Sequence, residues 1–468
     1  MSEEKQLVEE KISWGSAIRV STGDAAMAIL QSVIGGGALT YFFTRVMGLS
    51  AEMAGLAWLI FGIWNAINDP LLGYIADRTK SKIGRRKPYI RYGAPLAALF
   101  FIILWIQIPG SQGVQWLLFT QLLVGLFLYD TLYTAIATSL YLMPYEMAVS
   151  NKARSRVFIW KIIFMAFSTG LPLVVIPMIQ PGPGDDPTPF RYIMVGLGLV
   201  MGALIFASSF FYDEKHFQQG EQQYGFFKSL KECFTNVSFL NFLVVSFTVI
   251  YIQTNLMMGV LYYFDEIDVP ALPVYIALAA GIVAGVFLWV NMRDRWGLKK
   301  CLIIWLGLFV VGCILMLVLG RVMIVAVISF LLVGLGFAGG MYLIPMMNGD
   351  VIDFDETKTG LRREGMYAGI NSLVTKPAIS IAQAAFLWIL GLFGYDQTLA
   401  KGLQSATAET GILMAWMAIP AVLLLVSFIA MFWYPLSGKN WETTKQDLAK
   451  VHAEKEKKYL ESLGYKSE

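Results

Sequence analysis

The sequence predicts an all-α integral membrane protein of twelve transmembrane helices, folded as two pseudo-symmetric six-helix bundles. Three observations predict it. Apolar residues make up 57% of the 468-residue chain and charged residues only 15%, against roughly 25% charge in an ordinary soluble chain. Twelve stretches approach the about 20 mostly apolar residues that cross a bilayer as a helix. Equivalent elements also recur in the same order roughly 200 residues apart, as an internal duplication would leave them.

Composition excludes other classes. A net charge of +3 is too small to suggest a polyanion, so no nucleic-acid partner is expected. Cys233, Cys301 and Cys313 have no metal-ligand spacing and suit no disulfide framework. His216 and His452 lie in polar stretches, which argues against a histidine zinc site or a catalytic triad. The acidic opening MSEEKQLVEEK lacks an apolar core and does not read as a cleaved signal peptide.

The spans are expected near 22–44, 52–75, 92–109, 115–143, 157–179, 191–212, 235–263, 271–291, 301–320, 322–346, 365–393 and 411–435. A transmembrane barrel would instead show short alternating segments. Orientation follows from Lys and Arg, which collect in cytoplasmic loops. The loop after the second span reads RTKSKIGRRKPYIR; Lys152, Arg154 and Arg156 follow the fourth span, and Arg293, Arg295, Lys299 and Lys300 follow the eighth. The opposite loops PGSQGVQ, PGPGDDPTP and FDEIDVP carry no basic residue. Even-numbered spans therefore exit into the cytoplasm, and both termini belong there. The divisions expected are a first bundle over 1–212, a cytoplasmic linker over 213–234, a second bundle over 235–438 and a charged tail over 439–468. The tail reads as a solvated helix serving solubility or anchoring.

The repeat has three parts. GYIADR from Gly73 to Arg78 follows span two, and MRDRWG from Met292 to Gly297 follows span eight. Tyr141 to Pro144 closes span four, and Tyr342 to Pro345 closes span ten. Lys161 then lies in span five and Lys376 in span eleven. One such match would be chance in apolar sequence, but three in register favour duplication. Two six-helix halves with a site between them near the midplane form a transporter architecture.

An ionisable group inside a bilayer is costly and is normally paired or facing water. Asp69, Asp130, Lys161 and Lys376 lie within spans, and Asp24 near the start of span one. Asn65 and Asp69 are four residues apart and share a helix face. A carboxylate with amide oxygens beside it binds a proton or a small hard cation. Lys161 and Lys376, on equivalent helices, are candidates for the central cavity, where each would bond hydroxyls or neutralise an anion. The plain alternative for all of these is a buried pair holding helices together.

Two segments carry a resemblance. Ile63 to Gly73 (IWNAINDPLLG), followed by Asp77 to Lys80 and Gly84 to Pro88, resembles the glycoside–pentoside–hexuronide:cation symporters of the major facilitator superfamily. Gly349 to Gly365 (GDVIDFDETKTGLRREG) resembles the signature between spans ten and eleven, and Gly23-Asp24 looks like that of span one. The match runs along nearly the whole chain. It implies a major facilitator fold and cation-coupled symport of a sugar or glycoside by alternating access. Lys376 matches the family's span-eleven lysine, Lys161 stands in place of a sugar-site arginine, and Gly62 replaces another arginine. Asn65 occupies an aspartate position of sodium-coupled members, Asn68 matches, and Ile136 stands where a sugar-contacting aspartate is found. Galactoside specificity is therefore not carried over.

The expectations that follow are specific. Asp69 is the coupling residue, with Asn65, Asn68 and Ser372 as oxygen neighbours. Desolvation favours the protonated form of a midplane carboxylate, so protons are expected to drive uptake, with sodium at Asp69 as the alternative. Lys161, Lys376, Asp24, Asp130, Tyr133 and Trp160 form the substrate set; for Tyr133 and Trp160, interfacial anchoring explains the residue type as well. By resemblance, Asp77, Arg78, Arg86, Arg154, Asp353 and Arg363 line a cytoplasmic gate, although positive-inside anchoring explains the basic ones too. No cofactor beyond the coupling ion and no dedicated metal site are expected. The protein is expected to be a monomer in the cell membrane. Vertebrate lysophospholipid symporters share the branch, so a lipid-like solute is the alternative substrate. An integral-membrane enzyme would need a polar catalytic cluster, and none is visible.

Overall fold

A computed structural model describes residues 12–79, 81–84, 86–111, 113–147, 151–212, 234–360 and 364–462. Residues 213–233 of the expected linker and Arg363 lie outside the described residues, as do the side chains of Asp77, Arg78 and Arg154.

The described residues are helical almost throughout. The first half holds α1 (Trp14–Gly35), the short α2 (Ala38–Tyr41), α3 (Ala51–Arg78), α4 (Lys87–Trp105), α5 (Gln115–Met147), α6 (Asn151–Ile179) and α7 (Thr188–Ser208). The second half holds α8 (Val237–Glu266), α9 (Ala271–Trp296), α10 (Leu298–Leu319), α11 (Met323–Thr359), α12 (Glu364–Leu392) and α13 (Ala406–Ala430), followed by α14 (Lys439–Ser462). Local chemistry sets several ends. Ser13, Ser50 and Ser405 each cap a helix by accepting a backbone N–H. Gly360, at φ +69°, stops α11 in a left-handed conformation that suits glycine.

Among the described residues, ten helices are long and apolar enough to cross a membrane. The pair α1 and α2, bent by 40° and continued by a π-helical turn over Phe42–Val46, makes an eleventh. The twelfth expected span is α3, which has the length at 28 residues. Its polar run Asn65, Asn68 and Asp69 lowers its apolarity. Boundaries move where capping overrides hydropathy: span one starts at Trp14 rather than 22, and span ten continues from 346 to Thr359. The Gly349 to Glu356 signature is therefore the last part of a 37-residue helix rather than a connecting loop.

Within the first half, α1 packs on α6 and α7, α4 on α5 and α7, and α3 on α5. In the second half, α9 and α10 pack on α11, and α8 packs on α12 and α13. The halves meet chiefly where α3 lies against α12. Small residues allow the approach, as between membrane helices generally. A Cβ on Gly62 would fall 2.8 Å from Cβ of Ser380, and one on Gly55 would fall 3.0 Å from the Trp388 indole nitrogen. That contact leaves no room for the arginine which Gly62 replaces.

The tail is a helix, as expected, but it is not simply solvated. Trp441 donates its indole N–H to Asp350 at 3.0 Å and sets its ring edge-on to Phe354. Lys445 pairs with Asp350 at 2.6 Å, and His452 meets Glu356 at 2.9 Å. Long-range contacts thus strap α14 along the end of α11. Trp441→Ala strips a donor from buried Asp350, a loss of about 1–3 kcal/mol. Amide exchange over 350–359 and 441–452 is expected to accelerate in that variant; unchanged exchange would mean that Trp441 does not hold the strap.

Candidate functional site

The centre of the molecule is an ion pair across the two halves: Lys376 of α12 donates to Asp69 of α3. The preceding residue on α3, Asn68, is fully buried and faces α5. Its Nδ2 donates to Oδ2 of Asp130 at 2.8 Å and to Oγ1 of Thr134 at 3.2 Å. Asn65, one turn earlier, is buried with its Oδ1 unpartnered, and Asn68 Oδ1 is unpartnered too. Thus α3 presents a carboxylate to the second half and an amide to the first half's other buried carboxylate.

Lys161 of α6 lies apart from this pair and meets Asp24 of α1 at 3.3 Å. Its Nζ also donates to the backbone carbonyl of Leu140 at 3.1 Å. The two topologically equivalent lysines therefore take separate carboxylates. Both acids keep an open edge, with Asp24 31% and Asp69 27% exposed in the side chain.

The remaining sequence candidates divide. Tyr133 stacks on Tyr129 at 6.2 Å and Trp160 packs against Phe164 at 5.6 Å, both partly buried against the apolar core. Ser372 shares the α12 face of Lys376 four residues on, and makes no hydrogen bond among the described residues. Ile136, expected at a cavity position, is fully buried; a Cβ on Gly93 of α4 would meet it at 3.1 Å. The position thus faces a neighbouring helix. Arg86 is buried at the start of α4, and Asp353 is half-buried on the extension of α11.

Sequence reasoning missed a second network, at the end away from the basic loops. Arg45, on the π-helical turn, forms a 2.6 Å ion pair with Glu266 of α8, and both side chains are 0% exposed. Arg45 also reaches the carbonyl of Asp396 at 3.3 Å and lies over the Tyr395 ring at 5.1 Å. The Gly402 N–H donates to Glu266 at 2.9 Å, Tyr41 donates to Asp265, and Lys401 pairs with Asp265 at 2.8 Å. Beneath these bonds, Thr44 meets Tyr262 at 3.0 Å and Thr40 donates to Gln383 at 3.0 Å. The Asp396 carboxylate in the adjoining loop is held below its ordinary range by the hydroxyl and the backbone N–H of Thr398. These contacts join α2 and the π-helical turn of the first half to the second half. The signal was present in Arg45 and in the acids of FDEIDVP, but each sits at a span end and reads as a solvated loop charge.

Two six-helix halves with buried charges between them define a transporter of the major facilitator type, not an enzyme. The model of the MFS/sugar transport protein family matches residues 20–438, and the chain belongs to that family. It is similar to the isoprimeverose transporter of Lactiplantibacillus pentosus, 26% identical over 470 residues covering 95% of this chain and 93% of the relative. It is also similar to the glucuronide carrier protein homolog of Escherichia coli (strain K12), 22% identical over 445 residues, 93% of this chain and 95% of the relative. The solved D-xylose-proton symporter shares the fold, with a TM-score of 0.62 at 13% identity over 90% of this chain and 98% of that one. The symporter resemblance read from the α3 and α11 motifs is borne out.

Arg45 and Glu266 belong to opposite halves, so any separation of the halves at this end would break their pair. Removing one partner of a buried pair costs about 3–5 kcal/mol, so Glu266→Gln is expected to favour the state open at this end. A cysteine at Thr44 should then react with an impermeant thiol reagent about tenfold faster or more, and the charge swap Arg45→Glu with Glu266→Arg should restore slow labelling. Equal labelling with and without Glu266→Gln would remove the latch role.

Proposed function

We propose that this protein is a secondary active symporter that moves a sugar or glycoside inward, driven by a cation gradient and most simply by protons. The observation that carries the proposal is the Asp69–Lys376 pair, because it joins the halves that alternating access must separate. In the empty transporter Lys376 stabilises ionised Asp69. Solute hydroxyls compete for Lys376, the pair loosens, and Asp69 loses its counter-charge and takes a proton. Neutralised, it no longer draws α12 toward α3 and can travel with the solute to the other side. Asn65 cannot titrate, which leaves a single switchable charge on this face of α3.

The excess of Lys and Arg in the loops at one end supports a cytoplasmic position for that end. The Arg45 network would then close the outer side, while Asp77, Arg78, Arg86, Arg154, Asp353 and Arg363 would belong to the inner gate. A second reading of the ion has a specific observation behind it. The unpartnered buried oxygens of Asn65 and Asn68, beside Asp69, offer the donor set of a small hard cation such as sodium.

Proteoliposome uptake tests this directly. Asp69→Asn should abolish accumulation under an inward proton gradient yet leave exchange of preloaded solute, since the fixed amide mimics the protonated acid. Lys376→Ala should weaken solute binding by about tenfold or more, roughly 1.4 kcal/mol. Accumulation that persists in Asp69→Asn would reject the coupling role. Wild-type accumulation that needs sodium at fixed pH would reject the proton half.

A further inference from the structure

The charges within the spans also bear on which sugars are taken, an inference that rests on the sugar-transport reading above. Among the described residues, five ionisable groups lie along the spans away from both ends: Asp24, Asp69, Asp130, Lys161 and Lys376. Three are acids and two are bases. Each base already has its acid, Lys376 with Asp69 and Lys161 with Asp24 at 3.3 Å. Lys161 is further engaged by the carbonyl of Leu140. The third acid, Asp130, is buried and receives its side-chain hydrogen bond from the neutral amide of Asn68. No lysine is left with spare positive charge.

We infer that this set of charges selects uncharged glycosides and discriminates against glycosiduronates, with Asp24 as the specificity-determining residue. A uronate brings another carboxylate into a site that already holds more acids than bases. Like charges oppose each other there, and an unpaired charge in the membrane interior is costly. Taking Lys161 for itself would only strand Asp24, and taking Lys376 as Asp69 is protonated would still set three carboxylates, the uronate, Asp24 and Asp130, against two lysines. An uncharged sugar avoids this conflict. Its hydroxyls donate to the open edge of Asp24 and accept from the lysines, and once Asp69 has taken its proton the two lysines stand against the two carboxylates of Asp24 and Asp130.

The test compares sugars that share a ring and differ only at the sixth carbon. Binding to the purified full-length protein is measured for methyl β-glucoside against methyl β-glucuronide, and for methyl β-galactoside against methyl β-galacturonide. In the ring series that binds, the uncharged member is expected to be favoured by about tenfold or more. Asp24→Asn frees Lys161 from its carboxylate and should shrink or reverse that ratio; Asp24→Ser, which also removes the charge, should move it the same way, each variant being checked for folding by its melting curve. Wild-type preference for a uronide, or equal binding of the two, overturns the inference. So does a ratio that stays unchanged in both folded variants. If neither member of either pair binds, the sugar reading itself fails and takes this inference with it.

Discussion

Lysine and aspartate are tolerated in the middle of a membrane protein because each lowers the cost of burying the other. Here the two partners, Lys376 and Asp69, belong to opposite halves. The attraction that makes each charge affordable also holds the halves together, so any change that satisfies one partner differently loosens the whole interface. The surrounding sequence serves this arrangement. Gly55 and Gly62 let α3 and α12 approach closely, while Asn68 ties the back of α3 to Asp130 of α5. The helix bearing Asp69 is thus anchored on one side and held by a breakable contact on the other.

The Arg45–Glu266 network is built on the same physics with a different balance. The central pair keeps exposed edges, which the proposed mechanism needs if a small solute is to compete for it. The Arg45–Glu266 pair is fully excluded from solvent and is reinforced by Gly402, Tyr395 and Asp396. A contact of that kind resists competition from a solute and instead reports whether the helices around it are closed. The strap formed by α14 on Asp350 and Glu356 acts at the opposite end of the molecule, where α11 projects beyond its apolar part.

Much of the architecture was legible in the residues because the bilayer imposes a simple rule. Apolar runs of crossing length became helices, and the charges interrupting them, Asp69, Lys161 and Lys376, became paired sites between helices. Pairings were less legible. The Asp69–Lys376 pair was one the residues offered, whereas the Lys161–Asp24 pair was not, since it depends on how α1 and α6 are arranged in space. Charges at span ends were harder still: Arg45, Asp265 and Glu266 look like loop residues until the helices bring them together. The tail misled for a related reason. Its composition is that of a solvated helix, and only Trp441 hints at docking. Ile136 shows the limit of carrying a family position across, because its side chain packs toward α4.

The central claim is that solute binding releases Asp69 from Lys376 and lets it take up a proton. Proton uptake can be followed directly with a pH-indicator dye when a bound sugar is added to the purified protein in weak buffer. The account predicts uptake from the medium in step with binding, and its loss in Asp69→Asn that still binds sugar. Sugar binding by the wild-type protein with no accompanying proton uptake would contradict it.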